Sequence, residues 1–156
     1  MVTRMTYGPA DAAERLRDPA LYDGIVAKRI IAYLIDAVIL AALGVGLVML
    51  GFMTFGLLLP LIWPVLPVIP LAYHTLTVGA TGSATVGMRV CGIRVMSIDG
   101  YPPNLLQAFV LALVFYLSVG VTSGLVLLIA LFSDRGRCLH DFVAGTLAVP
   151  ARLPLR

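Results

Sequence analysis

Asp36 and His74 are the two residues whose type and placing could do chemistry inside this chain. Asp36 is a lone carboxyl in an apolar run that begins at Ile30, and none of the 52 residues from Ala37 to Met88 is Asp, Glu, Lys or Arg. An ion near the middle of a membrane helix costs about 2.5 to 3.5 kcal/mol on insertion scales, so the carboxyl requires either a proton or a partner. His74 is the only His within an apolar segment. In an antiparallel hairpin of the first two spans it falls at a depth comparable to Asp36. A hydrogen bond between them would let protons exchange near neutral pH, which is the chemistry of many membrane carriers. A His facing the membrane interface is the plain alternative.

Arg29 lies seven residues before Asp36, which on a helix means about 20° in azimuth and about 10 Å in depth. Both therefore share one face with Tyr33. Arg29 can snorkel to the headgroups while Asp36 stays deeper, so a direct salt bridge is not expected without an intervening group. Cys138, His140 and Asp141 supply the residue types of a thiol hydrolase. They are nearly consecutive, so their side chains are expected to diverge and no catalytic triad is expected. His74, His140 and Asp141 are too few and too scattered for a recognised metal spacing. The expectation is a protein with no enzymatic activity, no metal and no cofactor. Gly82 to Arg89 superficially matches a phosphate-binding loop, but Met88 stands where that motif needs Lys, which excludes nucleotide binding there.

The elements that position these residues are membrane helices. With 156 residues, 60% of them hydrophobic, and a mean hydropathy of +1.01, little polar sequence remains for a separate soluble domain. A span needs about 20 apolar residues. The first uncharged stretch has room for two, and a second, the 34 residues from Gly100 to Ser133, has room for one long helix or two short ones. The fold class is an all-α membrane protein: a helical hairpin of two spans, then one long or two short C-terminal membrane helices, with space for a small β-hairpin in the cytoplasmic loop.

Charge sets the expected orientation. The net charge of +3 comes from basic residues with no aromatic interleaving, so membrane topology accounts for them and nucleic acid is not a partner. Arg15, Arg17, Lys28 and Arg29 precede the first span, Arg89 and Arg94 follow the second, and Arg135, Arg137, Arg152 and Arg156 come last. All three groups favour the cytoplasmic side of the cell membrane, plasma or inner. The N-terminus should thus be cytoplasmic, and Cys91 and Cys138 should stay reduced. Met1 to Gly24 carries charges that include Asp11, Glu14, Arg15, Arg17, Asp18 and Asp23 and has no secretory h-region. Its Pro9 to Arg17 segment is expected as a short interfacial helix stopped by Asp18-Pro19.

The first span runs from about Ile30 to Met53 and is rich in Ala and Gly, which permits close helix approach and a homo-oligomer or a membrane partner. A turn is expected at Gly51 to Gly56, then a second span from about Phe55 to Val78. Pro60, Pro64, Pro67 and Pro70 should bend or locally unwind it. In the loop from Ala80 to Pro103, Val90 to Ile98 reads as a short strand or hairpin and Ile98-Asp99-Gly100-Tyr101 as a turn. For Leu105 to Phe132, helices at Leu105 to Val119 and Leu125 to Phe132 with a break at Gly120 to Gly124 return the tail to the cytoplasm. One continuous helix, which Gly120 and Gly124 would suit as a packing motif, would leave it outside.

Lys28-Arg29-Ile30-Ile31-Ala32-Tyr33-Leu34-Ile35-Asp36, the loop Val86-Gly87-Met88-Arg89-Val90-Cys91-Gly92-Ile93-Arg94-Val95 followed by Asp99-Gly100, and His140-Asp141-Phe142-Val143-Ala144-Gly145-Thr146 occur in that order. In this combination the chain resembles the RDD family of small membrane proteins over roughly Ile25 to Val149. The resemblance divides the chain into a leader at 1–24, a membrane domain at 25–149 and a tail at 150–156. It marks Arg29, Asp36 and Asp141 as the family's Arg and two Asp positions. Met88 and Cys138 depart from residues common at their places. The resemblance implies a multi-pass membrane protein, with transport, including cation/proton exchange, as the activity associated with some members. An assembly or adaptor subunit with a structural polar network is the other expectation. Arg29 and Asp141 would then form a charge-assisted clamp at the cytoplasmic interface.

Overall fold

The computed structural model describes Leu16, residues 18–122 and residues 138–152. The expected leader helix at 9–17 and the expected helix at 125–132 fall outside the described residues, Leu16 apart. Asp18 caps a short 3-10 helix at Pro19–Tyr22 by accepting from Ala20 N at 3.0 Å. Gly24, at φ +71°, then turns the chain into α1, Ile25–Met53.

No proline interrupts the 29 residues of α1. Only 11% of its most apolar window is buried. Val38, Met49 and Phe52 are exposed large apolar side chains. A soluble core helix would hide them; this surface fits lipid. At Met53 the chain reverses, with Gly56 at φ +84°, where only glycine is at ease. The turn expected at 51–56 thus forms three residues later than its expected start, with Gly51 to Met53 still helical.

The prolines break the second span as anticipated. α2, Leu59–Val65, and α3, Val68–Gly79, meet at a 44° bend. Taken together as one bent span, they are long and apolar enough to cross a membrane, as α1 is by itself.

Beyond Gly79 the chain forms α4, Val86–Val90, and β1, Ile93–Ser97. The turn at 98–101 forms as expected, with Gly100 at φ +83° and Ser97 N donating to Tyr101 O at 2.8 Å. Of the short strand or hairpin expected at 90–98, the strand forms, as β1, and the hairpin within this loop does not. β1 instead pairs antiparallel with β2, Thr146–Pro150, from Ile93 opposite Pro150 to Ser97 opposite Thr146. The pairing puts Ile93, Leu147 and Val149 into one buried cluster with Tyr22, Ile25 and Ala32 of the N-terminal segment. That burial is available only with the distant strand.

α5, Leu105–Thr122, continues through Gly120, so the described part of the expected break is helical. After the undescribed stretch comes α6, Leu139–Ala144. Gln107 joins three of these parts: its Nε2 donates to Ala144 O at 3.3 Å and to Ser97 Oγ at 3.4 Å, and its own N–H is capped by Asn104 at 2.7 Å. A second buried cluster of Val78, Val95, Ala108, Leu111 and Ala144 fills the space between α3, β1, α5 and α6.

Candidate functional site

Asp36 lies about three turns into α1 and is 2% exposed. Its Oδ1 accepts from Tyr73 OH at 2.7 Å and Gly87 N at 2.9 Å, and its Oδ2 accepts from Thr85 Oγ1 at 2.6 Å. Two of the three partners have a second task. Thr85 is the N-cap of α4 and accepts from Met88 N at 3.2 Å; the Tyr73 hydroxyl accepts from Val86 N at 3.1 Å. Asp36 therefore fastens α4 onto α1. Gly87 makes the approach possible, since a Cβ there would run into the carbonyl oxygen of Ala32 and lie 3.0 Å from Asp36 Cγ.

His74 is not Asp36's partner. Its Nδ1 lies 2.9 Å from Tyr116 OH and 3.1 Å from Pro70 O. One residue along a helix turns the side chain by about 100°, so with Tyr73 facing α1, His74 faces α5. The ring is half-buried among Tyr73, Phe115 and Tyr116 rather than set at an open interface. The sequence reading missed Tyr73, Thr85 and Gly87. The available signal was an N-cap Thr followed two residues later by Gly.

Arg29 forms an ion pair with Asp141, the clamp anticipated between them. The carboxylate is 1% exposed and the guanidinium side chain 13%, so this is a largely dry pair that is costly to break. Asp141 sits in the first turn of α6 and also accepts from Cys138 N at 2.9 Å, closing a capping box. Tyr33 does not bridge Arg29 to Asp36; its ring meets Phe115 edge-on at 5.6 Å. Phe115 also meets His140, at 5.0 Å.

The tail side chains converge, against expectation. Ligating atoms of Cys138, His140 and Asp141 lie within 4.8 Å of one another, because Cys138 is the extended N-cap and Asp141 reaches back to it. Their electrostatics suit neither thiol catalysis nor a cation. Burial pushes the Cys138 thiol up, away from thiolate. Burial also pushes the His140 imidazole down to about 4. Asp141 is already engaged by Arg29, whose positive charge would repel a metal ion at the same oxygen atoms.

These groups rim a cavity of about 280 Å³ between α1, α3, α5 and α6. Arg29, Asp36, His74, His140 and Asp141 contribute to its lining, and the rest is mostly apolar, including Val78, Met88, Leu111 and Phe115.

Comparison with known proteins gives one family, described as RDD family, matching residues 24–145. A Bacillus subtilis (strain 168) protein, "Uncharacterized protein YckC", is 41% identical over 66 residues, which is 39% of this chain and 43% of that relative. The chain thus matches less than half the length of this relative. No solved structure matches.

Proposed function

We propose, since the chain belongs to the RDD family, that it is a multi-pass protein of the cell membrane whose cavity binds a small solute and takes part in its transport. In this reading Arg29, Asp36 and Asp141 hold the frame of the cavity and do not themselves carry charge across. The observation that carries it is the cavity itself, apolar along its walls and rimmed by the family's Arg and Asp positions. The donors around Asp36 speak for a fixed carboxylate rather than a proton or cation carrier. The buried, protonated Cys138 supports a non-enzymatic role.

The pairing of β1 with β2 supports an even number of crossings, because the chain leaves and rejoins the bundle at the same end. With Lys28 and Arg29 at the mouth of α1, that end is cytoplasmic. Ala41, Ala42 and Gly46 are exposed on α1 and would serve as the contact of a homo-oligomer.

Reconstitution into liposomes tests this. Wild type should pass members of a panel of labelled small solutes faster than empty liposomes do. Ala112→Leu, which fills the cavity, should abolish that flux, and Asp36→Asn should retain it once matched for folded protein. Flux lost in Asp36→Asn but kept in Ala112→Leu would return the role to the carboxylate and to protons or cations.

A second reading is an assembly or adaptor subunit. Ile98 and Tyr101 are both exposed at the loop turn and would contact a partner. It predicts a protein recovered in mild detergent with wild type and lost with Tyr101→Ser, while liposome flux stays at background.

A further inference from the structure

His140 is 6% exposed, and its Nδ1 has no hydrogen-bond partner among the described residues. Its other nitrogen, Nε2, lies 3.4 Å from Arg29 Nη2 and 3.8 Å from Asp141 Oδ1, of which only the first is within hydrogen-bond reach. Arginine has only donors, so Nε2 must accept, and in the neutral ring the proton then sits on Nδ1. Burial keeps the ring neutral. The result is a buried N–H donor without an acceptor, on a residue that lines the cavity. Buried donors in folded proteins are almost always satisfied, so this one calls for an acceptor from outside the described chain.

The charges around the cavity select what kind of acceptor. Arg29 is neutralised by Asp141, so an anionic head would gain little from the guanidinium and would face two carboxylates. A cationic head would face that same guanidinium. An uncharged head suits both. The walls are mostly apolar, with Val78, Val95, Leu111 and Ala112, and two of the other polar side chains of the lining are already engaged, Asp36 by Tyr73 and Thr85 and His74 by Tyr116. Ile30 and Tyr33 both line the cavity and are partly exposed, so the cavity opens beside α1, within reach of molecules dissolved in the bilayer. About 280 Å³ is near the lower limit of ligand pockets, roughly 300 Å³, so the molecule is small.

We propose that the cavity takes a small, uncharged, mostly apolar molecule ending in one oxygen acceptor, a carbonyl or ether, and that His140 Nδ1 donates the hydrogen bond that fixes this end. This rests on the cavity being a binding site and adds its ligand class.

The test uses the full chain purified in a mild detergent, with heptyl methyl ketone, nonane and nonanoate as probes of similar length. The ketone should raise the melting temperature in a dose-dependent way, nonane less, and nonanoate not at all. His140→Phe should weaken ketone binding about tenfold and erase its advantage over nonane. Ala112→Leu should lose the response to both. On wild type, nitrogen NMR of labelled imidazole should show the His140 Nδ1 resonance move with ketone and not with nonane, which reads the hydrogen bond even where a variant fails to fold. A ketone response unchanged in His140→Phe, or a resonance that ignores ketone, overturns the head assignment while leaving the cavity in place. A response unchanged in Ala112→Leu overturns the cavity as the binding site.

Discussion

The backbone N–H of Gly87 donates to Asp36 Oδ1 at 2.9 Å, and the absence of a side chain on Gly87 is what allows the two to meet. The contact explains why a carboxylate sits in an apolar helix: it is answered by the loop that folds back on the helix, not by the neighbouring span alone.

Gly87→Ala should therefore destabilise the folded chain by about 1 to 3 kcal/mol, the usual cost of forcing atoms into a filled space. Thermal melting in detergent reads the loss. Because both substitutions damage one contact, Gly87→Ala combined with Asp36→Asn should cost clearly less than the sum of the singles. Simple additivity would mean that α4 does not rely on Asp36.

Tyr73→Phe and His74→Phe separate the two candidate partners of Asp36. Losing the Tyr73 hydroxyl removes a donor from Asp36 and an acceptor from Val86 N at the start of α4, for about 1 to 3 kcal/mol. This loss should largely disappear in an Asp36→Asn background. The His74→Phe effect should be the same in either background, since His74 bonds to Tyr116. A His74 effect that depends on Asp36 would refute the assignment.

Breaking the Arg29 to Asp141 pair from either side should cost about 3 to 5 kcal/mol, because each change strands a buried charge. The double replacement Arg29→Gln with Asp141→Asn should recover part of that. Urea or thermal unfolding of the four chains supplies the comparison, and a double variant as unstable as the sum would rule out coupling.

Acid should destabilise the fold through His140. Its folded pKa, pushed down by burial to about 4, lies below the ordinary 6.5. Nearby Asp141 favours the charged ring, while Arg29 and His74 oppose it. As pH falls below about 6.5 the unfolded chain binds the proton first, so stability declines until about pH 4 and is unaffected above that window. The total is at most on the order of 3 kcal/mol. Melting temperatures should drop more between about pH 7 and about pH 5 in wild type than in His140→Gln; equal drops would place the sensitivity elsewhere.

Asp99→Cys and Arg152→Cys should react with a membrane-impermeant thiol reagent from the same side of sealed vesicles. Asp99 follows β1, Arg152 follows β2, and the strands are paired. Labelling from opposite sides would contradict that pairing in the membrane.

Features set by local physics were legible in the sequence. The proline series predicts the break between α2 and α3, and Gly56 and Gly100 predict their turns. The Arg29 to Asp141 pair, which is not local, was expected because the family resemblance marks both positions and their charges are opposite. What escaped depends on non-local choices. Whether Tyr73 or His74 meets Asp36 is a matter of helix phase, and the proline break sets that phase through packing. Thr146–Pro150 offers five residues with no turn signal joining it to β1, so nothing local identifies the strand's partner. The meeting of Cys138, His140 and Asp141 follows from a capping geometry with a Cys at the N-cap, where Ser, Thr, Asp or Asn is the usual marker.

The late position of β2 also governs biosynthesis. While the ribosome is still adding the residues before Cys138, Arg29 has no Asp141 to neutralise it and β1 has a bare edge. An inserting chain that stalls there displays an open strand edge, which stray β-segments can pair with. Closure of the two-strand sheet thus waits until Thr146–Pro150 has been added.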